Sequence, residues 1–160
     1  KTLTSIIPYI KYKTLIATGV SKSKTIRLIP ILKYLDYLFI NEDELLGLNK
    51  NTNNIEKSIK KILNLGTKVI FVTLGDKGAI VASKNEFYKS KILKTNIKDL
   101  NGTGDAFCAA AISCIQKKFT LKQTLNYSLA CSSLIAEVNG STRNDLSDRL
   151  ILNKLNYKNM

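Results

Sequence analysis

Between residues 55 and 83 the chain switches from a helical period to a strand period, and that switch constrains its fold more than any other feature. Ile55, Ile59, Ile62 and Leu63 recur at three- and four-residue spacing, with Glu56 and Lys60 as an i,i+4 pair on the other face. This spacing predicts an amphipathic helix over 55–65, and Gly66 suits its C-terminal end. Residues 68–73 (KVIFVT) follow as a β-branched and aromatic run without alternation. It is the strongest strand of the chain. The rest of the chain repeats the pattern. Residues 14–17 (TLIA) and 37–40 (YLFI) read as strands. Residues 22–35 carry Ile26, Ile29, Leu32 and Leu35 at helical spacing, with Pro30 inside, which should kink or split the helix. Residues 42–48 (EDELLGL) read as a short helix with an acidic start, and 79–83 and 86–90 as a hairpin through Lys84-Asn85. Segments 104–116 and 121–138 read as helices rich in Ala, Ser and Cys, small enough for close approach. The tail, 139–160, is polar and loop-like, with room for one short helix. The expected fold class is α/β, a mainly parallel sheet flanked by helices.

Composition removes several chemistries. The chain has 160 residues, enough for one domain with a real core, and no His. Ser-His-Asp and Cys-His pairs and His-ligated metals are therefore excluded, and any base must be a carboxylate, Lys, Tyr or thiolate. Cys108, Cys114 and Cys131 form no CxxC, so they read as reduced core thiols of a cytoplasmic protein. No apolar run approaches the ~18 residues of a membrane span, so no membrane partner is expected. The net charge of +13 comes from 25 basic residues, of which only Arg27, Arg143 and Arg149 are Arg. Lys, Asn and Ile share A/T-rich codons, and the Lys are scattered. Genome composition thus accounts for the charge, and nucleic acid is not an expected partner.

Three segments could carry chemistry. The first is Asp99-Leu100-Asn101-Gly102-Thr103-Gly104-Asp105, opening a helical run. Two glycines at a helix start let unpaired N–H groups converge on an anion. Asp105 on the same turn could deprotonate a hydroxyl that attacks a phosphoryl group. The plainer reading is an Asp that caps a helix. The second is Thr73-Leu74-Gly75-Asp76-Lys77-Gly78, directly after the strongest strand, where α/β sheets bind ligands. The plainer reading is a hairpin turn. The third is Asn41-Glu42-Asp43-Glu44, in which Asn41 and Glu44 share a face and could hold Mg²⁺ through water. Capping explains those residues equally well.

Taken in order, N-x-x-E, T-L-G-x-x-G and D-x-x-G-x-G-D resemble the ribokinase-like carbohydrate kinases, also called the PfkB family, from about Leu15 to Leu146. The resemblance covers only the C-terminal, nucleotide-binding half of that fold. It implies a kinase that moves the γ-phosphoryl group of ATP to a hydroxyl of a sugar or nucleoside. Asp105 matches the base, and Gly102, Thr103 and Gly104 the anion hole. Asn41 and Glu44 match the motif that organises Mg²⁺ and phosphates. Thr73, Gly75 and Gly78 match the loop along the ATP phosphates. Asp99 and Asn101 match positions that in some members line a monovalent-cation (K⁺) site. Thr103 stands where Ala is usual. Val20-Ser21 with Lys24, and Asn144-Asp145-Leu146-Ser147, look most like the pseudouridine-kinase branch, although Thr18 replaces an Asp common there. The family's N-terminal half, with its lid and most sugar contacts, is absent from residues 1–160, and the first residue is Lys1, so one partial domain is expected. Lid pairing implies a homodimer for the full-length form. The alternative is an inactive or incomplete nucleotide-binding remnant.

Overall fold

The structure is a computed structural model that describes residues 2–49 and 54–156. Its helices are α1 (Thr2–Ile6), α2 (Lys22–Thr25), α3 (Glu42–Leu48), α4 (Ile55–Asn64), α5 (Thr103–Gln116), α6 (Leu121–Ile135) and α7 (Asp148–Asn156). Its strands are β1 (Ile16–Thr18), β2 (Tyr37–Asn41), β3 (Val69–Thr73), β4 (Ala79–Ser83) and β5 (Phe87–Ser90). They form one five-stranded sheet in the order β1-β2-β3-β4-β5. β1, β2 and β3 are parallel, as their helical crossovers require. Contacts divide the chain into two compact units, Lys1–Leu74 with Val81–Phe87, and Gly75–Ile80 with Tyr88–Met160.

In the first unit the centres of β2 and β3 are fully buried, with Leu38, Phe39 and Ile40 beside Ile70, Phe71 and Val72. Phe39 and Phe71 are partners in register and stack at 4.7 Å between ring centroids. α4 lays Ile59, Ile62 and Leu63 into this core, and its start is capped by Asn54, whose side chain accepts the Lys57 N–H at 2.9 Å. The helix expected over 22–35 is different. Only Lys22–Thr25 is α-helical, and Ile26–Tyr34 is a 3₁₀ helix with Pro30 inside. Pro30 has no N–H and its ring crowds the preceding turn, so the tighter winding replaces a simple kink.

In the second unit α5, α6 and α7 enclose a cluster of Ala110, Cys114, Tyr127, Ala130, Cys131, Leu134 and Ile151. The small residues of α5 and α6 form this contact, as their spacing predicts. α6 ends at Ile135, three residues early. The Ala136 carbonyl accepts the N–H groups of Lys98 and Asp99, at 2.8 and 3.3 Å, which takes the chain out of the helix. The tail supplies α7, which is anchored as well as polar. Ile151 is buried, and Asp148 accepts the Tyr127 hydroxyl and pairs with Lys117 at 2.9 Å. Among the described residues, no helix is long and apolar enough to cross a membrane.

Candidate phosphoryl-transfer site

The first group of site residues stands at the C-terminal ends of β1, β2 and β3. Register places Asn41 beside Thr73, where parallel strands deliver ligand contacts. Asn41 closes β2 and opens α3. Its Oδ1 accepts the Glu44 N–H at 2.8 Å, and Glu44 Oε2 accepts the Asn41 N–H at 3.0 Å. This reciprocal capping box is the plainer of the two roles open to these residues, and it is present. It does not exhaust Glu44, whose side chain is buried at 5% exposure. Among the described residues no basic group pairs with it, and its Oε1 makes no hydrogen bond. A buried carboxylate without a counter-charge is costly. No group of three or more Cys, Asp or Glu side chains gathers for a metal among the described residues. One uncommitted carboxylate oxygen fits Mg²⁺, which keeps several waters and leans on phosphate oxygens, better than an ion that needs a protein cage.

The second group is the turn after β3. Gly75 has φ +61, and a Cβ there would meet nothing within 4 Å. Gly78 has φ +97, its N–H donates to the Gly75 carbonyl at 3.1 Å, and a Cβ would fall 2.0 Å from the Ser90 carbonyl oxygen. Gly78 is therefore held by the protein's own backbone. Gly75 leaves open space where a ligand can approach.

The third group opens α5. Gly102 is the N-cap residue at φ +77, with no side-chain cap on the helix. A Cβ at Gly102 would come within 2.6–2.8 Å of Ser141, so only glycine fits. Asp99 braces this loop by accepting the N–H groups of Asn101 (2.9 Å) and Gly140 (3.0 Å). These backbone donors hold its carboxyl below the usual aspartate value. Thr103 turns inward, donating its hydroxyl to the Leu100 carbonyl at 2.8 Å and its N–H at 3.3 Å. Of the N–H groups expected to line the anion hole, Thr103's is thus engaged. The N–H groups of Gly102, Gly104 and Asp105 belong to a first turn, which has no intrahelical acceptors for them. Gly104 is exposed, and a Cβ there would meet nothing within 4 Å. A glycine that neither φ nor packing requires, inside a helix it weakens, leaves a cradle for a ligand. The next residue, Asp105, is exposed, with no hydrogen bond or ion pair among the described residues. By contrast α3, α4 and α6 are all capped by side chains.

The sequence profile of the pfkB family carbohydrate kinases matches residues 21–149. The chain belongs to the pfkB family. A 6-phosphofructokinase from Thermoanaerobacterium thermosaccharolyticum is 38% identical over 78 residues, covering 49% of this chain and 24% of that protein. A ribokinase from Staphylococcus aureus is 31% identical over 118 residues, covering 69% of this chain and 38% of that one. Arabidopsis thaliana ribokinase, solved with ribose and ATP, shares the fold at a TM-score of 0.76 and 24% identity, over 89% of this chain and 47% of that one. The pfkB chain thus spans less than half the length of each of these proteins. Residue by residue, its structure brings Asn41, Glu44 and Thr73 together in one unit. It gives Gly75 and Gly78 one turn and Gly102–Asp105 another in the second unit. Sequence reasoning missed the bracing of Gly102 by Ser141 and of Asp99 by Gly140. It also missed Gly19, whose missing Cβ makes room for Glu44. The spacing of the motifs carries no signal for these contacts.

Proposed function

We propose that this chain is the nucleotide-binding, C-terminal half of an ATP-dependent kinase that phosphorylates a hydroxyl of a sugar or nucleoside. The carrying observation is the start of α5, where an uncapped first turn, an open Gly104 and an unpaired Asp105 lie together. In this reading Asp105 takes the proton of the attacking hydroxyl. The N–H groups of Gly102, Gly104 and Asp105 meet the charge on the transferring phosphoryl group, and Thr103 shapes the turn. Thr73 and Gly75 lie along the ATP phosphates, with Gly78 setting the turn. Asn41 and Glu44 hold Mg²⁺, which when bound neutralises phosphate charge. A monovalent cation such as K⁺ belongs beside Asp99 and Asn101, and the complete kinase is a homodimer working in the cytoplasm. Pseudouridine is the finer substrate reading. It rests on Val20-Ser21 with Lys24 and on Asn144–Ser147, where Arg143 grips Asp145 through two nitrogens at 2.7 and 3.2 Å.

A second reading is an inactive nucleotide-binding remnant of such a kinase, and the capping box that already engages Asn41 and Glu44 speaks for it. Phosphoryl transfer from radiolabelled ATP to ribose, fructose, adenosine and pseudouridine tests both, using this chain alone and the complete reading frame that carries it. Labelled product supports the kinase. ATP binding without transfer from either preparation supports the remnant.

A further inference from the structure

Gly19 follows β1 and continues its pairing, donating its N–H to the Phe39 carbonyl at 2.8 Å. Its φ lies outside the left-handed region, so its backbone suits any residue. Space, and not conformation, calls for glycine here. A Cβ at position 19 would lie 2.2 Å from Glu44 Oε2, 2.5 Å from its Cδ and 2.9 Å from Oε1. The atoms in the way are the far end of one flexible side chain. A larger residue would therefore push the carboxylate out of its buried place without breaking the sheet. That carboxylate returns a bond to the Asn41 N–H, and among the described residues it has no basic partner.

We propose that Gly19 is a positioning residue for the divalent cation. It forms the notch that holds the Glu44 carboxylate at the ends of β1 and β2, ready for Mg²⁺. The proposal rests on the reading of Glu44 as a magnesium holder. It differs from that reading in making a residue 25 positions earlier responsible for where the carboxylate stands.

The test is a titration of this chain with magnesium chloride, alone and with ATP, following the amide resonances of Asn41 and Glu44. Wild type, Gly19→Ala, Glu44→Ala and the double variant are compared. Before any metal is added, Gly19→Ala should shift the Asn41 amide, because its bond to Glu44 is lost, while the circular dichroism of the fold stays the same. With metal, Gly19→Ala should weaken Mg²⁺ binding about 10- to 100-fold, the usual effect of losing a group that orients a ligand. Glu44→Ala should abolish it. The double variant should match Glu44→Ala in every readout, since truncating Glu44 removes the atoms that a methyl group at position 19 would strike. Gly19→Ala binding Mg²⁺ like wild type, while Glu44→Ala does not, overturns the notch and leaves the magnesium reading standing. A Gly19→Ala chain that fails to fold, with a double variant that also fails, overturns it too, because the obstacle is then not the carboxylate. Wild type and Glu44→Ala responding alike to Mg²⁺ overturns both.

Discussion

Gly102 and Gly104 are two residues apart, and replacing each by alanine should move stability in opposite directions. At Gly102 an alanine must hold φ +77 and place its Cβ 2.6 Å from the Ser141 carbonyl oxygen. The left-handed backbone costs about 1–2 kcal/mol, and crowding against a backbone braced by Asp99 about 1–3 kcal/mol more. Gly102→Ala should therefore lose about 2–5 kcal/mol, or roughly 4–20 °C in Tm for a chain of this size. At Gly104 there is open space and helical backbone, so alanine should gain about 0.5–1 kcal/mol from helix propensity and raise Tm by about 1–4 °C. The added methyl should occupy the space where phosphate approaches and weaken ATP binding about 10- to 100-fold. Thermal denaturation and calorimetric titration with ATP measure both effects on the same samples. A Gly104→Ala chain that melts lower than wild type, or binds ATP equally well, would refute the reading of that glycine as a ligand cradle.

Three further outcomes follow from the second unit. Asp148 is held below its usual value by the Tyr127 and Lys117 bonds, and burial with the nearby Asp148 charge pushes Tyr127 up. Asp148's contribution is complete above 3.8 and is lost as pH falls through its lowered value. Tyr127's is complete below 10.0 and is lost as pH rises toward its raised value. Hydrogen-exchange protection of α7, taken relative to the intrinsic amide rate at each pH, should be greatest between those limits, and Tyr127→Phe should flatten the profile; an unchanged profile contradicts the clasp. Burial pushes the Cys114 thiol up to about 11, so at pH 8 it should react with a disulfide reagent far more slowly than a free thiol; equal rates would contradict its placement. Ile151→Ala should cost about 2–5 kcal/mol in urea unfolding by opening a cavity among Cys114, Ala130 and Leu134; a loss below about 0.5 kcal/mol, as surface sites show, would mean α7 is not docked.

Local chemistry was legible in the sequence where one short segment contains both partners. Asn41-x-x-Glu44 announced a helix start and became a capping box at that position. The buried run 68–73 became β3 because no polar alternation competes with burial on both faces. What the spacing left unread depends on distant partners. Gly75, Gly78, Gly102 and Gly104 are the same letter in matching motifs, yet two are held by Ser90 and Ser141 and two face open space. Gly19 has its partner 25 residues later, across two strands. The early end of α6 has the same origin, since the loop at 98–99 reaches the Ala136 carbonyl from a segment no helical period encodes. Pro30 was visible, but whether a proline kinks a helix or converts nine residues to 3₁₀ winding is settled by packing, here the burial of Ile31 and Leu32.

The central claim is that Asp105 removes a proton from the substrate hydroxyl at the open start of α5. Single-turnover phosphoryl transfer by the complete kinase, wild type against Asp105→Asn, measures that step most directly. The substitution keeps the side chain's shape and removes its basicity. The rate should fall about 10²- to 10⁴-fold, the range for a positioned general base, with ATP affinity unchanged. An unchanged rate, with ATP bound equally well, would contradict the claim.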